Sequence, residues 1–485
     1  MAEQSGRLVV VSNRVGPLSD EGKAGGLAVG LADALRRRGG LWFGWSGEIS
    51  DAGSSSELKT ETHGSTSLVT IDLTQDEIDG FYFGYANRSL WPLLHYRLDI
   101  ASFERSSDRV YRAVNRRFAE RLAPQLEADD LVWIHDYHFF YMGSELRRAS
   151  YDGRLGYFLH IPFCPPEMLT ALPASHDLVR ALLDYDVVGF QTEGDRRNFV
   201  AFCVQELGAE DVDGDRVRTS DGRVVRASAF PIGIDAEGFA EFATSEEARE
   251  HEAMVNDISR GRHQIVGVDR MDYSKGIVER FRGFEQLLED HPEERGQVQF
   301  LQVAPLSRSE LEAYVDLRNE LEGLAGNING RFATLDWNPI QILVNGFTRR
   351  ALAGIYRAAQ VCMVTPLRDG MNLVAKEFIA AQDPADPGVL ILSRFAGARA
   401  ELPEALIINP YSTDDVTRAL LQALKMPLEE RQRRHAAMRE RVFRNTAQNW
   451  CETFLAVLDA PAERDLQPRS WWHRWGFGGG PTGGS

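Results

Sequence analysis

Short aliphatic and β-branched runs alternate with amphipathic stretches along the whole chain. In the first half, Leu8–Val11, Leu131–Ile134, Leu155–Leu159 and Val187–Phe190 read as buried strands. In the second half, Ile265–Val268, Val298–Val303, Val361–Thr365, Val389–Leu392 and Leu406–Ile408 read the same way. Apolar runs separated by helical patterns are the signature of parallel sheets covered on both faces, so the fold class is α/β. Between the first run and Trp42, A-G-G-L-A-V-G-L-A-D-A-L-R-R-R-G-G predicts a helix starting near Gly26 and stopped by Gly39 and Gly40. A long helical pattern from about Leu428 to Leu458 closes the fold. No repeat of solenoid period interrupts this order.

Polar residues able to do chemistry follow the strands directly: Asn13 and Arg14, His135 and Asp136, His160, Arg270, then Arg368 and Asp369. Open α/β sheets bind ligands beyond the carboxyl ends of their strands. One such set in each half predicts two Rossmann-like domains facing each other across a cleft, with Pro231–Asp235 as the crossover.

The 485 residues exceed one ordinary core, and 43% hydrophobic with 26% charged residues is normal for a globular protein. No run of about 18 apolar residues exists, so no membrane span is expected. The opening M-A-E-Q-S-G-R has no apolar signal core. The four cysteines, at positions 164, 203, 362 and 451, form no C-x-x-C pair, which fits a reducing cytoplasm and no zinc site. A formal charge of −17 disfavours nucleic acid and anionic membranes as partners. It also means that an anionic substrate would need locally gathered arginines and lysines.

Taken singly, the motifs leave alternatives open. A-G-G-L-A-V-G lacks the G-x-G-x-x-G spacing of a dinucleotide fold; its glycines could approach a diphosphate at a helix N-terminus, but spacing alone favours a plain turn. D-R-M-D-Y-S-K-G carries Arg270 and Lys275 on one strand-end loop, suited to a departing diphosphate, and a solvated surface loop fits equally well. In R-D-G-M-N-L-V-A-K-E, a helix beginning near Asn372 would offer free N–H groups around Met371–Leu373, with Asp369 at the strand end and Glu377 one turn in. An ordinary capped helix is the plainer alternative. In H-D-Y-H the strand separates His135 from His138, and no third metal ligand is evident. D-V-D-G-D has its glycine at the wrong position for a calcium loop and reads as a hairpin turn. No Walker A sequence is present.

Together these segments resemble the trehalose-6-phosphate synthase family, retaining glycosyltransferases of the GT-B fold, from about Arg7 to about Leu458. The resemblance is carried by V-V-V-S-N-R, A-G-G-L-A-V-G, G-L-W-F-G-W-S-G, L-W-P-L-L-H-Y-R, I-H-D-Y-H, H-I-P-F, D-Y-S-K-G, T-P-L-R-D-G-M-N-L-V-A-K-E and A-A-Q-D-P. It implies an N-terminal acceptor domain over 1–232 and a nucleotide-sugar domain over 233–440. A helix over 441–460 would pack back on the first domain, and a flexible tail would follow over 461–485.

The activity implied is glucose transfer from UDP-glucose to glucose 6-phosphate, with no cofactor and no metal. Arg14, Tyr82 and Arg308 would hold the acceptor phosphate, and Trp91 and Asp136 would shape the acceptor sugar site. Gly25 and Gly26 would approach the donor diphosphate, and Arg270 and Lys275 would neutralise it as it leaves. His160 and Asp369, with backbone groups from Gly370, Met371 and Asn372, would hold the donor glucose. Glu377 would take the ribose, and Phe347, Leu373 and Val374 would lie along the nucleotide. Cys164 stands where family members more often carry proline, and Phe83–Gly84 also depart from the pattern. Two alternatives stand beside this reading: a sister enzyme with another phosphorylated acceptor such as glycerol 3-phosphate, and a non-catalytic sugar-phosphate sensor. Nucleotide preference and oligomeric state, including a homo-oligomer, stay open.

Overall fold

The structure is a computed structural model that describes residues 6–16, 26–51, 57–308 and 310–460, with residues 26–29 described by backbone alone. The tail over 461–485 and Gly25 therefore lie outside the described residues.

Ten strands build the first sheet: β1 (Leu8–Arg14), β2 (Gly40–Ile49), β3 (Leu58–His63), β4 (Thr66–Leu73), β5 (Leu131–His135), β6 (Arg154–Leu159), β7 (Val187–Phe190), β8 (Glu210–Asp211), β9 (Arg216–Arg218) and β10 (Val224–Ala229). Their order is β3-β4-β2-β1-β5-β6-β7-β10-β9-β8. The strands from β4 to β10 pair in parallel, and β3, β9 and β8 are antiparallel additions at the edges. β1 sits at the centre, with Val9 opposite Leu41 on one side and Val132 on the other. Its first five residues are buried, as a central strand covered on both faces requires. β8 and β9 form the hairpin expected of D-V-D-G-D, with Gly214 at φ +89° in the turn.

The second sheet contains β11 (His263–Val268), β12 (Val298–Val303), β13 (Ile340–Leu343), β14 (Val361–Val364), β15 (Val389–Ser393) and β16 (Leu406–Ile408). It runs β13-β12-β11-β14-β15-β16, and every pairing is parallel. Each reversal of strand order leaves a crevice at the carboxyl ends, where a Rossmann-like sheet takes its ligand.

The closing helical pattern is two helices, Leu428–Arg444 and Ala447–Asp459, not the single helix that the periodicity predicts. The break falls where the chain returns to the crossover. Thr446 pairs with Ile234 and caps the second helix by accepting from Asn449 N–H at 3.1 Å. The approach is so close that a Cβ on Gly233 would lie 1.9 Å from the Asn445 carbonyl oxygen. The second helix lies against the first sheet, where Phe454 stacks on Trp133 with ring centroids 4.5 Å apart. Gly156 and Gly189, inside β6 and β7, leave room for that ring; a Cβ at either position would approach it to 2.8 Å. Among the described residues, no helix is long and apolar enough to cross a membrane.

Candidate active site

Side chains at the strand ends of the two sheets meet between them. Six described non-glycine residues have positive φ, and three of these are predicted site residues: Asp136 (73°), Arg308 (50°) and Asn372 (71°). Left-handed backbone at such residues is held only where the surroundings over-determine it, and it concentrates at binding sites.

One group is built on aromatic rings. The Arg14 guanidinium, at the end of β1, lies 5.0 Å from the centre of the Trp45 ring. Trp45 meets Tyr82 at 6.3 Å, and Tyr82 stacks on His138 at 5.9 Å and 9°. Tyr82 is carried by an unusually long π-helix, Ile78–Leu90, which runs directly into the helix Trp91–Leu94. His138 and Trp91 are both in contact with Tyr137, so the rings form a continuous wall from Arg14 to Trp91. Across the cleft, the Arg308 guanidinium covers Trp91 at 4.0 Å, with Arg270 5.7 Å from the same ring. Arg308 donates to Tyr137 Oη at 3.0 Å, to Tyr314 Oη at 2.5 Å and to Asp272 Oδ2 at 3.3 Å. Its Nε, also buried, has no partner among the described residues.

The other group surrounds the end of β14. Lys275 donates to Asp369 Oδ2 at 2.5 Å, and Asn372 Nδ2 donates to the same oxygen at 3.1 Å. The short turn Tyr273–Lys275 is pinned there by Leu367 N–H, which donates to Ser274 O at 2.8 Å. Gly276, at φ +62°, packs where a Cβ would lie 2.2 Å from the Thr365 carbonyl oxygen. Below it, the fully buried Arg280 donates to Asp269, Gln302 and Thr365, tying together the ends of β11, β12 and β14. The helix begins at Val374, later than predicted, and the four amides from Gly370 to Leu373 donate to no described group. Met371 is buried, and Leu373 and Val374 are partly buried. Gly370 approaches His160 so closely that a Cβ would stand 2.1 Å from its carbonyl oxygen. Glu377 accepts from Tyr356 Oη at 3.4 Å, Phe347 lies edge-on to His251 at 6.1 Å, and Gly26 opens the helix Gly26–Arg38.

Burial governs the charges. It pushes the Asp136 carboxyl up to about 6, against the Tyr137 and His160 amides and the cations Arg308 and Arg270. Burial also opposes ionisation of Asp272, yet Arg308, Arg270 and Lys275 outweigh it and hold that carboxyl below the usual range. His160 is pushed down to about 3 by burial, and so is His138, with Arg308 adding to the effect. Both imidazoles are neutral at physiological pH. Burial raises Glu377, with Arg349 and Tyr356 opposing.

Sequence reasoning did not single out Trp45, Tyr137, Asp272 or Tyr314, and it weighed His138 only as a metal ligand. Trp45 and Tyr137 lie inside motifs already quoted, whereas Tyr314, on the helix Glu312–Phe332, has no local signal at all. A cavity of about 750 Å³ opens between the halves, lined among others by Asn87, Arg97, Tyr273, Glu279 and Tyr314. None of the predicted residues lines it. It borders the Arg308 network through Tyr314, which lines the cavity and contacts Arg308.

Two Rossmann-like sheets bring cations and a buried histidine together between their strand ends, the architecture of the GT-B fold that the chain shares with solved trehalose-phosphate synthases at TM-scores of 0.89 and 0.90. The chain belongs to glycosyltransferase family 20, which it matches over residues 10–460. It is 45% identical over 463 residues to a trehalose-6-phosphate synthase of Enterobacter sp. (strain 638), covering 95% of this chain and 97% of that protein. Its structure is similar to a UDP-forming α,α-trehalose-phosphate synthase from Burkholderia xenovorans in complex with glucose-6-phosphate. That match has a TM-score of 0.89 at 45% identity and covers 93% of this chain and 100% of the other. The E. coli protein bound with UDP-2-fluoro glucose gives a TM-score of 0.90 at 43% identity, covering 94% of this chain and 99% of the other.

Proposed function

We infer that the chain transfers glucose from UDP-glucose to glucose 6-phosphate, forming α,α-trehalose 6-phosphate and UDP with retention at the donor carbon. The observation that carries this is the meeting of Arg308 and Arg270 over Trp91 next to the Lys275–Asp369 pair. Two cationic groups, one beside an aromatic wall and one beside free helix amides, suit two anionic substrates held face to face. The near full-length likeness to proteins complexed with glucose-6-phosphate and with a UDP-glucose analogue supports the pairing.

In this reading Arg14, Tyr82 and Arg308 bind the acceptor phosphate, and Trp91 and Asp136 bound the acceptor sugar. Arg270 and Lys275 take the charge of the departing diphosphate, the role of preorganised cations in a water-poor site. Asp369, His160 and the free amides from Gly370 onward hold the donor glucose, Glu377 the ribose, and Gly25 and Gly26 the diphosphate. Phe347, Leu373 and Val374 line the nucleotide. The acceptor domain is 1–232 and the donor domain 233–440, with 441–460 returning to the first; the return of Ala447–Asp459 onto Trp133 supports that division. Four buried free cysteines support a reducing, cytoplasmic location.

The test is product identification. The purified protein is incubated with UDP-glucose and, in parallel, glucose 6-phosphate or glycerol 3-phosphate. A 1,1-linked α,α-disaccharide phosphate by NMR in the first mixture alone is the expected result. Product only with glycerol 3-phosphate would assign the sister activity, and no product in either would leave a sensor.

A further inference from the structure

Four groups form one hydrogen-bonded line behind the strand ends. The Ile232 N–H, in the crossover, donates to Gln191 Oε1 at 3.0 Å. Gln191 Nε2 lies 3.3 Å from His160 Nδ1, and His160 Nε2 lies 3.0 Å from His135 Nδ1. A backbone N–H can only donate, so Ile232 fixes the oxygen end of the Gln191 amide and turns its NH₂ toward His160. His160 Nδ1 must then accept. A neutral imidazole that accepts at Nδ1 carries its proton on Nε2, which donates to His135 Nδ1. His135 in turn carries its proton on Nε2, an atom with no partner among the described residues. The opposite tautomer, or an imidazolium, would set two donors against each other at Gln191. Burial lowers both histidines and agrees with two neutral rings.

We propose that Gln191 and His135 are positioning residues that lock His160 as the Nε2–H tautomer and present its Nδ1 lone pair to a hydroxyl of the donor sugar. This rests on the reading that His160 faces the donor glucose. The two bonds to His160 are unequal. The Gln191 contact is the longer, so an incoming hydroxyl displaces the amide while the His135 bond keeps the ring oriented. His135 has no other polar contact among the described residues; its ring is fully buried, with the Trp133 ring centroid 4.4 Å away. The far end of the line is anchored as well, because Ile232 O accepts from the buried Lys376 Nζ at 2.7 Å. His160 is thereby a hydrogen-bond acceptor toward the sugar and not an acid.

Two measurements test this. Long-range ¹H–¹⁵N correlation on the full chain carrying ¹⁵N-histidine should show His160 as the Nε2–H tautomer; the Nδ1–H or imidazolium pattern would overturn the proposal. Gln191→Glu preserves shape and still accepts from Ile232, but it cannot donate to His160. It should switch the His160 tautomer and lower kcat/KM for UDP-glucose by about tenfold or more, leaving the acceptor KM within about twofold. His135→Asn, whose Oδ1 can accept in place of Nδ1, should retain the tautomer and most activity, whereas His135→Leu should lose both. An unchanged donor kcat/KM in Gln191→Glu, or equal impairment of the two His135 variants, would sink the idea. The NMR result reads the lock whether or not glucose is transferred, so an inactive wild type would count against the assigned function alone.

Discussion

Arg308, in the loop after β12, lies with its guanidinium 4.0 Å from the centre of the ring of Trp91, which opens a short helix in the other half of the chain. The pair is both a contact between the two halves of the chain and part of the proposed acceptor site. Its guanidinium is preorganised by Tyr137, Tyr314 and Asp272 and reaches the cleft already desolvated. Arg308→Ala should raise the acceptor KM at least about tenfold with a much smaller effect on the donor, since one charge-assisted bond is worth about 1.5–3 kcal/mol. Arg308→Lys keeps the charge but not the planar fork, and should recover only part of the loss. An acceptor KM unchanged in Arg308→Ala would remove Arg308 from the phosphate site. The same variant leaves Asp272 with one cation fewer, so its melting temperature should fall as well.

Asp136 gives a prediction with a pH signature. Its folded pKa, raised to about 6, lies above the unfolded value, so the protonated carboxyl favours folding. That contribution is fully present below the unfolded pKa and is lost as pH rises through about 6. Asp136→Asn removes the cost of the buried charge and should stabilise the protein at pH 7.5 by about 1–3 kcal/mol. The gain should shrink toward zero between pH 6 and pH 4, where wild type is protonated too. Thermal melts of both proteins across that range check the sign, and a gain constant with pH would show that the charge is not its source. The acceptor KM of the variant should rise, making the carboxylate a stability cost retained for binding.

Every strand read from a continuous apolar run is present, because Leu8–Val11 or Val361–Val364 can only be buried between two helical layers. The strands that escaped notice lie toward the edges. β3, L-K-T-E-T-H, is exposed along most of its length, and its charges blunt a free edge while hiding the strand from a hydrophobic reading. β13 is a half-buried edge strand of the second sheet. The break at Asn445 is hard to read for another reason: its one local signal is the capping residue Thr446, and the contact that fixes it is the crossover at Gly233 and Ile234, far away in sequence. The site divides similarly. Arg270, Lys275 and Asp369 follow strands and could be found by position. Tyr314 and Gln191 act through tertiary contacts at Arg308 and His160, which only the folded chain reveals.

Gly370 should tolerate nothing larger. An alanine Cβ would stand 2.1 Å from the His160 carbonyl oxygen, and the three nearest atoms, from His160 and Ile161, are all backbone that cannot rotate away. Gly370→Ala should cost about 1–3 kcal/mol of stability, as overpacking does, and lower kcat/KM for UDP-glucose by displacing His160 from the free amides. Gly323, inside the helix Glu312–Phe332 with open space where its Cβ would go, is the control. Gly323→Ala should gain about 0.5–1 kcal/mol and leave kinetics unchanged. Equal behaviour of the two variants would show that the contact at Gly370 has no part in the site.

The last prediction concerns how retention arises. A covalent glycosyl-enzyme needs a free carboxylate against the face of the donor sugar opposite the leaving group. The carboxylates of the predicted site are otherwise engaged. Asp369 Oδ2 is held by Lys275 and Asn372, Glu377 accepts from Tyr356, and Asp136 Oδ1 accepts from the His160 N–H at 3.3 Å. Transfer on the same face as the departing diphosphate needs none of them. A donor phosphate oxygen takes the acceptor hydroxyl proton as the glycosidic bond breaks, and the new bond forms on the side just vacated. What this route requires is a cation whose interaction strengthens as charge accumulates on the diphosphate, and Lys275 and Arg270 are placed for it. Lys275→Ala should therefore lower kcat by about a hundredfold or more, an effect of the size seen when a preorganised charge stabiliser is removed. Intact-mass spectrometry during turnover should detect no hexose adduct on wild type, nor on Asp136→Asn. An adduct on either, or a β-linked product, would demand a nucleophile and overturn same-face transfer while leaving the fold and family as they stand.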